Sequence, residues 1–117
     1  MREIAGLASL VLLSACSPPP QDRNALAAVA AQRQPADARL ANLYSHACRN
    51  CHANVSSGAP LTGDREDWHD RWRKGLSVLL THTLQGFNGM PAGGQCFSCT
   101  SADYTALIRF MSDAEHP

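Results

Sequence analysis

The chain has 117 residues, with ten basic and ten acidic side chains and a formal net charge of zero at neutral pH. This balance gives no support for nucleic-acid binding or for a partner of one strong charge, and the length leaves room for a single small domain. Only seven residues are aromatic, so a domain of this size needs a disulfide, a metal or a cofactor to supplement its apolar core. The five cysteines, at positions 16, 48, 51, 96 and 99, are the first candidates.

The first fifteen residues have the pattern of a secretory signal peptide. Arg2 precedes an apolar run of about ten residues, which is well short of the roughly 20 that a membrane-spanning helix needs. The run ends in Leu13-Ser14-Ala15-Cys16, which resembles the bacterial lipobox, where the cysteine is acylated and becomes the first residue of the mature protein. We predict a signal peptide at 1–15 and lipid attachment at Cys16. The alternative is an ordinary signal peptide followed by a free thiol.

Residues 16–35 are predicted to form a flexible linker between the lipid anchor and a domain at 36–117. Ser17-Pro18-Pro19-Pro20 favours extended backbone. The Ala-rich run from Asn24 to Gln34 could form a loose helix, but it has little apolar surface to bury. Serine, rather than aspartate, at position 17 resembles enteric lipoproteins of the outer membrane. We expect the protein at the periplasmic face of a bacterial membrane, with the outer membrane favoured.

A helix is predicted from about Asp37 into a Cys-x-x-Cys-His motif, because apolar residues recur at spacings of three and four. The motif, residues 48–52, is the signature of c-type haem attachment. Cys48 and Cys51 can add to the two vinyl groups of one porphyrin, and His52 is then placed beneath the iron as the proximal ligand. The sequence therefore predicts one covalent haem c.

Two other interpretations of this motif remain open. A thioredoxin-like redox pair would need a βαβ context, and none is visible in the sequence. A zinc site would need a second pair of ligands, which Cys96 and Cys99 could supply.

Two helices are predicted between the attachment motif and the next loop. Asp64 can cap a helix that bears Trp68 and Trp72 and stops near Gly75. The next helix is rich in leucine and ends at Gly86. The charges on the first of these helices are interpreted as a solvated face with ion pairs. One side chain of this helix could donate a hydrogen bond to a haem propionate, and the candidates are Trp68, Arg71 and Arg73.

The loop Phe87 to Gly94 contains the favoured distal ligand of the iron, Met90. Packing gives little reason for a large apolar side chain in a loop so rich in glycine and proline. His82 is the alternative, since two histidines also give a low-spin iron. Met111 is expected to fill the core. The remaining histidines, expected at the surface or in local hydrogen bonds, are His46, His69 and His116.

The second cysteine pair is followed by Thr100, so it has no proximal histidine and is not a second haem site. In an oxidising compartment a disulfide between Cys96 and Cys99 is expected, with a thiol redox function as the alternative. Residues 100–103 have the form of a capping box for a last helix. Its apolar stripe consists of Tyr104, Leu107, Ile108 and Met111, with Phe110 beside it.

From about Asp37 to Ser112 the chain resembles the class I cytochromes c, and among them the cytochrome c5-like group. The residues that carry the resemblance are Tyr44, the attachment motif, Gly58-Ala59-Pro60, Gly63-Asp64, Trp68, Gly75, His82, Gly86 to Pro91, Gly93-Gly94 and the Cys96/Cys99 pair. The resemblance implies an all-α fold of about four to five helices around one haem. It also implies His52 and Met90 as axial ligands, with the Pro60 carbonyl orienting His52, and a disulfide between the last two cysteines.

The same resemblance implies Tyr44 and Trp68 as residues of the haem pocket, and a close crossing of the first and last helices where Tyr44 meets Leu107 and Phe110. Two positions depart from the pattern. Leu40 stands where a glycine is expected, so we expect a wider crossing. Gln95 is an extra residue before Cys96, which puts the placement of the disulfide relative to Met90 in doubt.

These features together predict an electron carrier and not an enzyme. Methionine ligation raises the reduction potential relative to histidine, so the site should be a fairly high-potential one. The expected partners are redox proteins at the membrane or in the periplasm. The alternatives are a dedicated haem subunit of an oxidoreductase or oxidase complex, and a peroxidase or gas sensor with an open iron position.

Overall fold

A computed structural model describes residues 19–113 of the chain. The predicted signal peptide, Cys16 and His116 lie outside the described residues. Within the described part the chain forms six α-helices and no strands, which confirms the all-α prediction. The helices are α1 (Arg23–Gln32), α2 (Ala38–Ala47), α3 (Arg49–His52), α4 (Arg65–Trp72), α5 (Leu76–Gln85) and α6 (Ser101–Ser112), with 3-10 turns at Val55–Ser57 and Ala92–Gln95. None of these helices combines the length and apolar character that a membrane span requires.

The helix ends follow from local capping, as the sequence predicts. The Asp37 carboxylate accepts a hydrogen bond from the Leu40 amide at 2.8 Å and starts α2. Asp64 accepts from the amides of Glu66 and Asp67 and starts α4. At α6 the Thr100 hydroxyl accepts from the Asp103 amide, and the Asp103 carboxylate accepts from the Thr100 amide. The start of each α-helix leaves four backbone N–H groups without a partner in the helix, and these caps supply acceptors for some of them.

The core lies where α2, α4 and α6 meet. Tyr44, Trp68, Leu107 and Met111 form its buried centre, and Leu40 packs against them. The Tyr44 ring meets the Phe110 ring edge-on, with centroids 5.0 Å apart. The predicted contact between the first and last helices of the domain is confirmed, and so is the interpretation of Met111 as a core residue.

Helix α1 occupies part of the interval 16–35, where we expect a flexible linker. Asp22 caps it by accepting hydrogen bonds from two amides, and Ala30 is completely buried. Small residues therefore let this helix lie close to the domain, and arginines at its two ends pair with distant acids, Arg23 with Asp67 and Arg33 with Asp113. The helix that the Ala-rich run could form is thus present at Arg23–Gln32, and both the linker at 16–35 and the domain boundary stay predictions.

Candidate haem site

The two cysteines of the attachment motif lie at the junction of α2 and α3. Both are free thiols in the structure, Cys48 partly buried and Cys51 exposed. Burial, and to a lesser extent the charge of Cys51, raises the pKa of Cys48 to about 11. A thiol with this pKa stays protonated at neutral pH, whereas a disulfide-exchange catalyst needs a thiolate. The environment of Cys48 is therefore unlike that of a thioredoxin-type cysteine.

His52 is buried, with only 5% of its surface exposed. Its Nδ1–H donates to the Pro60 carbonyl oxygen at 2.7 Å. Because a carbonyl can only accept, this bond fixes the tautomer and leaves the Nε2 lone pair available to a metal. Burial lowers the pKa of His52, which favours the neutral ring that coordination needs.

The segment that holds His52 in place is Pro60-Leu61-Thr62-Gly63, which we call the proximal loop. The Thr62 amide donates to the His52 carbonyl at 2.7 Å. Two residues predicted to belong to the haem pocket also bind this loop: the Tyr44 hydroxyl lies 2.9 Å from the Thr62 hydroxyl, and the Trp68 indole donates to the Leu61 carbonyl at 2.9 Å. The Trp68 ring also lies nearly parallel to the His52 ring, at 5.9 Å.

Each of the three candidate donors to a haem propionate has another partner in the structure. Trp68 donates to Leu61, Arg71 donates to the Asp67 carbonyl, and Arg73 lies 3.5 Å from Asp70. Trp72, one helical turn after Trp68, is the residue that sequence reasoning missed. Its buried Nε1–H is the one buried side-chain nitrogen or oxygen without a partner among residues 19–113. An unpaired buried donor packed on the same cluster as Cys48 fits an acceptor such as a haem carboxylate.

Met90 lies in the segment 86–96, which we call the methionine loop. Phe87 and Met90 exchange two backbone hydrogen bonds of 3.0 and 2.9 Å, which close a turn at Asn88 and Gly89. Gly94 has a φ of 55°, and a Cβ added to it would lie 3.1 Å from the Met90 methyl carbon. A side chain at position 94 would thus press on the methionine, so glycine suits a close packing of Met90.

The methionine loop is attached to α6 through Tyr104. The hydroxyl of this buried tyrosine lies 2.9 Å from the carbonyl oxygens of both Gly93 and Cys96. Cys96 and Cys99 are joined as a disulfide with Cα atoms 5.4 Å apart. In this state the pair offers no thiolates to a zinc ion, so the structure gives no support for a zinc site shared with Cys48 and Cys51.

The described histidines other than His52 lie in different surroundings. The His82 ring stacks on Phe87 of the methionine loop, with centroids 3.9 Å apart. His46 contacts the Asn42 carbonyl at 2.8 Å, and His69 contacts the neighbouring Asp70. His82, on α5, is thus the histidine that packs against the methionine loop, while the other two make local contacts at the surface.

An all-α domain with a Cys-x-x-Cys-His motif, a buried histidine of fixed tautomer and a glycine-rich methionine loop defines a haem protein of the c type. Residues 35–111 match the family described as "Cytochrome C oxidase, cbb3-type, subunit III". The chain is 37% identical to cytochrome c5 of Azotobacter vinelandii over 67 residues, which are 56% of this chain and 81% of that protein. It is 31% identical to cytochrome c-555 of Chlorobaculum tepidum over 58% of this chain and 67% of that protein.

The chain therefore belongs to the class I c-type cytochromes, which are electron-transfer proteins with covalently bound haem c. When bound, the haem supplies a one-electron couple between iron(III) and iron(II). Three residues of the chain would hold it: Cys48 and Cys51 by thioether bonds, and His52 as the proximal ligand. Helix α1 lies outside the matched residues 35–111, so it is an addition to the part that defines the family.

Proposed function

We propose that the protein carries single electrons through one haem c whose iron is ligated by His52 and Met90. The observation that supports this most directly is the commitment of His52 Nδ1–H to the Pro60 carbonyl, which leaves Nε2 for the iron. Met90 complements it, because its loop is closed by backbone hydrogen bonds and attached to α6.

The surroundings of these two residues suit electron transfer without substrate chemistry. His52 and Met90 are each positioned by main-chain contacts, so neither needs to move when the iron changes oxidation state. Tyr44 and Trp68 shield the proximal loop from water, which keeps the imidazole in a dry environment. No residue is assigned a catalytic role.

Carbon monoxide tests this proposal against the open-site alternative. If both axial positions are filled, the reduced protein should not bind carbon monoxide at neutral pH, while it should be oxidised and reduced reversibly in a redox titration. The absorption spectrum of the reduced protein is recorded before and after addition of the gas. Rapid formation of a carbon monoxide complex by the native protein would contradict the carrier and favour a peroxidase or gas sensor.

The lipid anchor is a separate part of the proposal and has its own test. We propose that Cys16 is acylated after removal of residues 1–15 and that the domain faces the periplasm from a bacterial membrane, where membrane-bound and periplasmic redox proteins exchange electrons with it. In cells fed a palmitate analogue, the wild-type protein and a Ser17→Ala control should be labelled and sediment with membranes. Cys16→Ser should abolish both properties, and labelling that persists in this variant would remove the assignment.

A second candidate function is that of a dedicated haem subunit in a larger oxidoreductase or oxidase. The description of the matched family favours it, since it names an oxidase subunit, whereas the relatives are named simply as cytochromes. The two functions differ in assembly. Recovery of the protein in a stoichiometric complex from gently solubilised membranes would favour the subunit, and recovery as a single chain would favour the carrier.

A further inference from the structure

We propose that Arg33, the residue that follows α1, is a positioning residue for the proximal ligand, because it holds the proximal loop whose Pro60 carbonyl binds His52. This inference rests on the proposed ligation of the iron by His52. It goes beyond the family pattern, since Arg33 and α1 precede the matched residues 35–111.

Arg33 connects α1 to the end of the last helix. Its guanidinium makes a two-fold contact with the Asp113 carboxylate, with Nη1 and Oδ2 2.9 Å apart. It also lies over the Phe110 ring, 5.6 Å from the centroid. The hydrogen bond from Arg33 lowers the pKa of Asp113, so this pair stays charged at neutral pH. Both partners of Arg33 belong to the carboxyl end of α6, so the arginine is held there.

The same guanidinium rests directly on Gly63, the last residue of the proximal loop. A Cβ added to Gly63 would overlap Nη1 of Arg33, so a side chain at this position would displace the end of the arginine from its present place against the loop. The Gly63 amide in turn donates to the Met111 carbonyl at 2.7 Å. Gly63 is therefore enclosed between the arginine and the end of α6, and the end of the loop cannot shift without breaking one of these contacts.

The constraint reaches His52 through three residues of backbone. Pro60 begins the segment that Gly63 ends, and its carbonyl oxygen lies 2.7 Å from His52 Nδ1. A well-held acceptor of this kind increases the basicity of a ligating imidazole and stabilises the iron(III) state. If Arg33 is lost, the Pro60 carbonyl should move more freely and its hydrogen bond to His52 should open more often.

The chain offers a matched control for Arg33. Arg39 makes the same kind of two-fold contact with Asp103, with Nη2 and Oδ2 3.0 Å apart, and thereby ties α2 to the opposite end of α6. No hydrogen bond or ion pair of Arg39 involves the proximal loop among the described residues. Arg33→Gln and Arg39→Gln thus remove the same chemistry at the two ends of one helix.

The experiment follows hydrogen exchange in the reduced, haem-loaded protein by NMR. Arg33→Gln should accelerate exchange of the His52 Nδ1–H proton by about tenfold, because a tenfold change corresponds to about the net contribution of one hydrogen bond. The amide proton of Leu107, in the core of α6, serves as the internal reference. Its exchange rate should equal the wild-type rate once any change in global stability has been subtracted. Arg39→Gln should leave the His52 proton unchanged.

A second variant tests whether the proximal ligand depends on the geometry of the Arg33 side chain or only on its positive charge. Arg33→Lys keeps the positive charge but loses the planar contact with Gly63, so the reduction potential should rise because the imidazole becomes a weaker donor. Equal acceleration of the His52 and Leu107 protons would show a merely structural role for Arg33, and unchanged exchange in both Arg33 variants would overturn the proposal. Failure of His52 ligation would be visible earlier, as wild-type His52 resonances without the large shifts that a haem ring imposes.

Discussion

Replacement of both Cys48 and Cys51 by serine is expected to yield exported protein that carries no covalent haem. Serine hydroxyls do not form the thioether bonds, so haem staining after denaturing electrophoresis should fall to background. The folded state should suffer as well, because a domain this small then lacks the cofactor that supplements its apolar core. Small domains have only about 5–15 kcal/mol of stability, so most of the helical circular dichroism should be lost at 37 °C.

The second cysteine pair supplies the control for this experiment. Cys96→Ser combined with Cys99→Ser removes two cysteines from the same protein but leaves the attachment motif intact. This variant should keep its haem stain, and its midpoint of thermal unfolding should fall by a few degrees, because a disulfide that closes so short a ring constrains the unfolded chain little. Haem that stays bound to the Cys48/Cys51 variant through denaturation would contradict the assigned attachment site.

Met90→Ala is expected to have the second largest effect. It should change the ligation of the iron and leave the covalent attachment of the haem intact. The oxidised protein should lose the weak long-wavelength absorption band of a sulfur–iron(III) bond. The reduction potential should fall by about 0.1 V or more, within the span of about 0.8 V that axial ligands cover. The reduced variant should bind carbon monoxide, because the distal position becomes accessible.

Two matched variants identify the distal ligand by elimination. Met111→Leu removes another methionine, one that is buried in the core, and should leave the absorption band in place. His82→Ala removes the ring stacked on Phe87 and should alter the spectrum little. A band that persists in Met90→Ala would remove Met90 as the ligand. A loss of the low-spin spectrum in His82→Ala alone would favour ligation by two histidines.

Much of the helical structure could be predicted because its signals are local. Asp64 and the pair Thr100 and Asp103 cap helices within four residues of themselves, and the structure has those caps. The packing of α1 against the domain could not be predicted in this way, since one contact that holds it is distant in sequence: Asp113 lies 80 residues from Arg33. Its buried face consists of alanine, which has little hydrophobic signal.

The residues of the candidate site also fall into two groups, those that a local sequence signal identifies and those that it does not. The attachment motif is contiguous, so its residues could be assigned from spacing, while the partner of His52, Pro60, required the resemblance to a family. Trp68 lies near His52, and its indole N–H donates to the Leu61 carbonyl, a contact that the sequence did not indicate. Trp72 was missed because an unpaired donor is recognised only when its surroundings are known. Its position four residues after Trp68, on the same side of α4, was the available signal.

If Cys16 is acylated as proposed, the packing of α1 against the domain leaves only a short tether between the lipid and the domain. With an acylated Cys16, only residues 17–22 would separate the bilayer surface from the first residue of α1, and six residues reach at most about 20 Å. An undocked chain as far as Asp37 would reach roughly three times as far. A cytochrome restrained in this way would stay in a thin layer above the lipid headgroups, and a donor or acceptor would have to present its redox centre close to that layer.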